Sequence, residues 1–377
     1  VSYFQIAFSN SDDPAAISSE LCDGLSATKG SPLNSVEHGG LGVLYATDVV
    51  GDQLQNIVAS LKLATGVDIW IGTLGVGVVA NERAAFDRPA AVAMILDIPS
   101  SDYRMLPISP IPGSLPEDVQ QWVETVRPSS GLVHADPSSP TIATMIEGIA
   151  ERTGAYLVGG LTCSRGPQHQ LAGDVGSGGL SGALFSPDIA VTAGLSQGCS
   201  PLGPTRQITA GESNIVYELD GRPAIDVFKE DIGEMLARDL QRAAGYVHVA
   251  FPVSGADTAD YMVRDLMGID PESGWLGVGS EITVGDRIMF VRRDPVSAQK
   301  DLGRMLRDVK KRLPGPARGA IYISCVARGP SMFGDEETEA EIVSDGLGGT
   351  PVIGFYASGE ICHDRIYGYT GVLLVFG

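Results

Sequence analysis

The chain is short of cysteine, histidine, basic residues and long apolar runs, and each shortage removes a class of protein. Its five cysteines (Cys22, Cys163, Cys199, Cys325 and Cys362) include no CxxC pair and no even framework. That argues against a disulfide scaffold and for reduced thiols in a cytoplasmic setting. The five histidines (His38, His134, His169, His248 and His363) show no HExxH or CxxCH pattern, so neither a zinc enzyme nor any other metal site is expected. Lysine and arginine total 26 against 46 aspartates and glutamates, a net charge of −20. A surface of that sign repels a phosphate backbone, and no nucleic-acid partner is expected. No run of eighteen apolar residues occurs, so no membrane span is expected. The opening Val1–Asn10 lacks the basic start and apolar middle of a secretion signal and reads as a strand. GxGxxG after the first strand and GxxxxGK[ST] are missing too, which removes the familiar phosphate loops.

Glycine, by contrast, is plentiful at 48 residues, and the chain is 44% hydrophobic, ample for large cores. The glycines recur in a pattern. Gly42–Asp48 (GVLYATD), Gly131–Asp136 (GLVHAD) and Gly319–Cys325 (GAIYISC) are three similar strands. Each is followed by a helix-like segment and then by a glycine-bearing strand: Ile71–Gly75, Val158–Cys163 and Ile353–Ala357. From the opening glycine to Gly72, Gly159 and Gly354 the distances are 30, 28 and 35 residues. An apolar return strand closes each block: Ala90–Ile98, Gly179–Phe185 and Thr370–Phe376. This is one β-α-β-β unit used three times. Aligning the blocks puts His134 where Tyr45 and Tyr322 stand. It also puts Arg165 and Glu360 each six residues beyond their glycine, as opposite charges that could flank one cleft.

The return strands make the sheets partly antiparallel. The expected fold is therefore α/β, with two modules of mixed β-sheet flanked by helices, and a pseudo-symmetric four-layer arrangement is one form it could take. The rigid segment Gln197–Pro204 marks the boundary, giving modules 1–205 and 206–377. The second opens with strands near Arg206–Ala210 and Asn214–Leu219 and continues in a helix over Pro223–Ala244. Further on, Pro295–Leu313 forms a helix whose basic residues (Lys300, Arg304, Arg307, Lys310, Lys311 and Arg312) read as a solvated face.

At Cys199–Pro204 (CSPLGP), Glu218–Ala224 (ELDGRPA), Ser324–Gly329 (SCVARG), Gly354–Ile361 (GFYASGEI) and Gly368–Leu373 (GYTGVL) the sequence resembles the FIST family, with N-terminal and C-terminal FIST modules spanning nearly the whole chain. The resemblance implies a sensory module that binds a small ligand, with amino acids or similar metabolites suggested. One subgroup resembles haem proteins that sense nitric oxide. No kinase motif, helix-turn-helix or F-box segment is visible, so the signal would pass to a separate partner protein.

On that reading the ligand sits between the two modules, and Arg165, Cys199, Cys325, Arg328, Gly359 and Glu360 are the candidate wall residues. Glu360 follows Gly359 near a strand end, where a carboxylate can take a ligand amine or hold Arg165. Arg328, three residues after Cys325, favours the thiolate there. A Cys-based enzyme ranks last, because no base or oxyanion pattern accompanies Cys325. A haem sensor needs one axial ligand, and no histidine or cysteine is singled out for that role.

Overall fold

The computed structural model describes residues 4–26, 40–253 and 260–377; Glu37 and His38 lie outside the described residues. The chain divides into two compact units. One comprises Val1–Gln197, Gln299–Ile366 and Thr370–Gly377, and the other Gly198–Ala298 with Tyr367–Tyr369.

The first unit holds three blocks. The first runs β1 (Gln5–Ser9), α1 (Pro14–Ser26), β2 (Leu41–Thr47), α2 (Leu54–Thr65), β3 (Ile69–Gly75), β4 (Gly77–Ala80), β5 (Arg83–Phe86) and β6 (Ala91–Leu96). The second runs β7 (Tyr103–Ser109), α3 (Glu117–Val126), β8 (Ser130–Ala135), α4 (Ile142–Thr153), β9 (Tyr156–Leu161), β10 (His169–Ala172), β11 (Asp174–Ser177) and β12 (Leu180–Phe185). The third begins with β13 (Val191–Ser196), and the residues of the second unit follow it in the chain. Those are β14 (Cys199–Pro201), β15 (Arg206–Glu212), β16 (Ile215–Leu219), β17 (Arg222–Pro223), α5 (Ala224–Ile232), α6 (Glu234–Ala237), α7 (Leu240–Ala244), β18 (Val247–Pro252), β19 (Tyr261–Asp270), β20 (Trp275–Val278) and β21 (Arg287–Arg293). The third block then resumes with α8 (Pro295–Arg312), β22 (Gly319–Cys325), α9 (Gly329–Phe333), α10 (Thr338–Leu347), β23 (Val352–Ala357), β24 (Glu360–Cys362), β25 (Arg365–Tyr367) and β26 (Gly371–Phe376).

Each block builds a six-stranded sheet on one plan: β1-β6-β2-β3-β10-β11, β7-β12-β8-β9-β24-β25 and β13-β26-β22-β23-β4-β5. In every sheet the central pair is parallel and the return strand is antiparallel to the first of that pair. The last two strands of each sheet are a hairpin borrowed from another block. The first block lends β4–β5 to the third sheet, the second lends β10–β11 to the first, and the third lends β24–β25 to the second. The exchange is cyclic, so the pseudo-symmetry is three-fold and lies within one unit. No sheet is complete without a neighbouring block.

The glycines of the pattern are explained by the parallel pairs. A Cβ at Gly72, Gly159 or Gly354 would stand 1.8, 1.9 or 1.7 Å from the carbonyl oxygen of Leu44, Val133 or Tyr322 on the adjoining strand. Only a residue without a side chain allows that approach. On the outer face of the first two sheets the helices supply an apolar stripe. Leu54, Ile57, Val58 and Leu61 of α2 pack on Leu44, Ala46 and Leu74. Met145, Ile146 and Ile149 of α4 pack on Val133, Ala135 and Leu161.

The second unit is an antiparallel barrel. β21 pairs with β15 on one side and β18 on the other, which closes the ring β21-β15-β16-β20-β19-β18. The single helix expected over Pro223–Ala244 is three short ones, broken at Gly233, whose φ of +80° no right-handed helix accommodates.

Candidate functional site

The strand register fixes which residues of the three blocks are equivalent. Gly72 lies opposite Leu44, Gly159 opposite Val133 and Gly354 opposite Tyr322. Tyr322 is therefore the counterpart of Leu44 and Val133, and His134 matches Tyr45 and Ile323. The sequence alignment was one residue out in the third block because its opening glycine, Gly319, precedes the true counterpart, Ala320. A slip of one residue turns a strand side chain to the opposite face. Tyr322 consequently faces α10, while Tyr45 and His134 face the other way and meet each other, Tyr45 Oη standing 3.1 Å from His134 Nε2.

With the register corrected, the third block stands apart. The positions facing its helix hold Tyr322, Ser324 and Tyr356 where the other blocks hold Leu44, Ala46 and Leu74, or Val133, Ala135 and Leu161. These hydroxyls surround Glu339 of α10. Tyr322 Oη, Ser324 Oγ and Arg328 Nε all donate to Glu339 Oε1, at 2.8, 2.9 and 2.8 Å, and the Gly329 amide donates to Oε2 at 3.1 Å. Arg328 and Glu339 are both fully enclosed, at 0% side-chain exposure. Burial pulls the Arg328 guanidinium down, but Tyr322, Glu339 and Glu360 outweigh it and hold the charge firmly. After this, Arg328 Nη1 has no hydrogen-bond partner among the described residues. Arg328 gets there by a sharp turn: its amide donates to the Cys325 carbonyl at 2.8 Å, and Gly329 behind it takes φ +48°.

Glu360 stands on the other side of the same strand end. Its Oε2 accepts from the Thr370 amide and hydroxyl at 3.2 and 2.8 Å, and its Oε1 has no partner of ordinary hydrogen-bond geometry. Burial pushes its pKa up to about 8, with Thr370, Arg328 and a hydrogen bond to the Cys325 side chain pulling the other way. Cys325 is buried, at 6% exposure, directly before the exposed Val326. Gly359 is buried and its carbonyl accepts from the Leu161 amide at 2.8 Å, which seats the start of β24 beside β9.

Three of the six expected wall residues, Cys325, Arg328 and Glu360, thus come together, with Gly359 adjacent in the chain. Arg165 does not join them. Its guanidinium is bidentate to Asp48 at 2.7 Å to each oxygen and reaches Asp87 at 2.8 Å, with 58% of its side chain exposed. Its equivalence to Glu360 also falls away. The residue that takes the place of Glu360 is Gln170, opposite Thr73 as Glu360 is opposite Gly160, and the first block has Val78 there. Arg165 belongs to a longer loop ahead of β10. Cys199 lies in the second unit, where its carbonyl accepts from the Tyr261 hydroxyl and its side chain packs with Ala250, Val263 and Val291. Sequence reasoning missed Tyr322, Ser324, Glu339, Tyr356 and Thr370. The signal was there as hydroxyls at positions where the other two blocks are aliphatic, but it is readable only with the correct register.

The buried histidines do not fit a haem. His134 is 0% exposed, walled by the rings of Tyr45 and Phe355 at 5.5 and 6.1 Å, and burial pulls its pKa to about 3. His248 is 7% exposed and packs against the tilted ring of Tyr369, 4.5 Å between centroids. An axial ligand must present a ring nitrogen to the iron, and both imidazoles are enclosed by protein, with no room beside the ring for a porphyrin. Of the other described histidines, His169 Nδ1 is 3.1 Å from Ser177 Oγ and His363 is exposed. Among the described residues no group of three or more His, Cys, Asp or Glu could hold a metal ion, and no helix is long and apolar enough to cross a membrane.

Over 356 residues the chain is 30% identical to an uncharacterised protein of Mycobacterium tuberculosis (strain ATCC 25618 / H37Rv), covering 89% of this chain and 91% of that protein. It is 26% identical over 354 residues to an uncharacterised protein of Mycobacterium bovis, covering 89% and 90%. Residues 40–222 match the FIST N domain and residues 224–363 the FIST C domain. The chain belongs to the FIST family, whose domains are associated with sensory signal transduction and small-ligand binding.

Proposed function

We propose that this protein is a sensor whose ligand is a small carboxylate-bearing metabolite, an amino acid or a close relative, held at the end of β22 by Arg328 and Glu360. One observation carries the reading. Three blocks share a backbone plan, and only the third replaces its aliphatic helix-facing positions with hydroxyl-bearing side chains, which surround a fully buried Arg–Glu pair. The other two blocks show that the plan does not require this. A buried ion pair contributes little to stability compared with apolar side chains of similar size, since the desolvation of both charges offsets their attraction. Its presence in one block of three is better accounted for by recognition, and the unpartnered Nη1 of Arg328 is a donor suited to a carboxylate.

Occupancy of the site would be passed to a separate signalling protein by favouring one arrangement of the β22 turn over another, which requires the ligand to bind one of them more tightly. Thermal shift and calorimetry against a panel of amino acids and small carboxylic acids test the proposal. A carboxylate ligand should raise the melting temperature of the native protein and leave the Arg328→Met, Glu339→Met double variant unmoved. Ligand binding that survives in that folded variant would place the site elsewhere.

A further inference from the structure

We propose that Tyr369 and Thr370 form a coupling clasp through which the state of the Arg328–Glu360 site is transmitted to the antiparallel barrel. The inference rests on the site reading above and adds to it the route by which a change leaves the site. The two residues are neighbours in the chain, yet the boundary between the compact units falls at their peptide bond. Thr370 belongs to the three-sheet unit, and Tyr369, with Tyr367 and Gly368, to the barrel unit.

Thr370 is fully buried and is tied to the site through its amide, its hydroxyl and its carbonyl. The amide and hydroxyl donate to Glu360 Oε2 at 3.2 and 2.8 Å, and the carbonyl accepts from the Cys325 amide at 3.0 Å. The Cys325 carbonyl accepts in turn from the Arg328 amide at 2.8 Å. The Glu360 carboxyl group and the turn that delivers Arg328 therefore both end on this one residue. Tyr369 is gripped as firmly from the other unit. Its hydroxyl donates to Asp265 Oδ1 at 2.7 Å, its ring packs on His248 at 4.5 Å between centroids, and the Arg293 guanidinium lies 6.0 Å from the ring centroid. Tyr367 adds a second hold, its hydroxyl donating to Asp260 Oδ2 at 3.0 Å.

The backbone between the two grips is strained. Tyr369 has φ +63°, a left-handed conformation that a bulky side chain keeps only where its surroundings enforce it. The other two blocks show that the plan does not require these residues. The amides of Thr47 and Asp136 donate to the carbonyls of Ala90 and Gly179 as the Cys325 amide donates to that of Thr370. Thr370 therefore stands where the other blocks have Ala90 and Gly179, neither of which has a side chain able to hold a carboxyl group. Tyr369 stands where they have Pro89 and Gly178, and at Gly178 the positive φ of +91° belongs to a glycine. A shift of Glu360 or of the β22 turn that loosens Thr370 removes one of the two constraints on this strained residue. Tyr369 then relaxes toward extended backbone and withdraws its hydroxyl from Asp265. An element with two arrangements, biased from both of its ends, is the physical requirement for transmission.

Amide hydrogen exchange of the full chain, read by mass spectrometry on its peptides with no ligand added, tests the clasp. Thr370→Val removes the hydroxyl bond to Glu360 on the three-sheet side. In that variant exchange across β19 of the barrel should rise by at least about fivefold. Thr370→Ser, which keeps the hydroxyl, should stay at the native rate. In a Tyr369→Phe background the same Thr370→Val change should leave β19 unmoved, because the hold on Asp265 is already gone. Coupling is reciprocal, so Tyr369→Phe alone should raise exchange across β24 by a similar factor, and this arm decides the matter where Thr370→Val fails to fold. Exchange in β19 that ignores Thr370→Val, or rises equally with and without the Tyr369 hydroxyl, would overturn the clasp, as would unchanged β24 exchange in Tyr369→Phe. None of these outcomes depends on carboxylate binding, which the Arg328→Met, Glu339→Met comparison decides by itself.

Discussion

Glu360 is the residue whose burial makes stability fall on the alkaline side. Its folded pKa of about 8 lies above the value of about 4.3 for an unfolded glutamate. Between those values the unfolded chain releases a proton that the folded protein keeps. The stability this carboxyl group contributes is therefore complete below about pH 4.3, and is lost as pH rises through about 8. Glu360→Gln should raise the midpoint of urea unfolding at pH 8 by the equivalent of a few kcal/mol, and should flatten the decline between pH 5 and pH 8. A decline of unchanged slope would mean that Glu360 is not held neutral. The buried pair behaves differently. Glu339→Ala leaves the Arg328 charge enclosed without its partner and should cost about 3–5 kcal/mol in denaturant unfolding, whereas Arg328→Met combined with Glu339→Met should recover most of that loss. The contrast between the single and double variants is the measurement that matters.

At the scale of the element, the glycine-bearing strands and the exchanged hairpins define the unit. Gly159→Ala would drive a Cβ to 1.9 Å from the Val133 carbonyl oxygen, which is backbone and cannot turn aside. We expect at least about 3 kcal/mol of destabilisation, seen as a lowered melting temperature or loss of soluble protein. Gly154, which ends α4 with φ +67° and nothing within 4 Å of its would-be Cβ, should lose less on substitution by alanine, since strain alone is at stake there. The three blocks were legible in the sequence because glycine and aliphatic periodicity mark them locally. The hairpin exchange was not, because β4–β5 looks the same in sequence whichever sheet it joins. The register of β22 was missed for a related reason: Gly319 and Ala320 are both small, and only pairing with β23 tells them apart.

For the whole molecule, the second unit enters the chain between β13 and the end of the third block. The Gln197 amide donates to Asp301 Oδ2 at 2.7 Å, so the two ends of the first unit at this point lie side by side. Replacing Gly198–Ala298 by a short Gly/Ser linker should leave the three-sheet unit folded, with a cooperative melting transition and native-like far-UV circular dichroism. A molten product would show that the barrel is needed for the fold. On the acid side, His134 sets a second pH dependence of opposite sign. Its folded pKa of about 3 lies below the value of about 6.5 in an unfolded chain. The stability it contributes is present above about pH 6.5, and is lost as pH falls toward about 3. His134→Phe should weaken that acid limb in a melting-temperature profile.

The sequence by itself determined the mixed α/β class and the three-fold reuse of one unit, because both are written in local spacing and side-chain type. Tertiary structure decided the rest. It chose which hairpin completes which sheet, gave Arg165 to Asp48 and Asp87 and not to Glu360, and turned Tyr322 toward Glu339. Those outcomes depend on strand pairing between residues far apart in the chain, where a shift of a single position reverses the face a side chain presents.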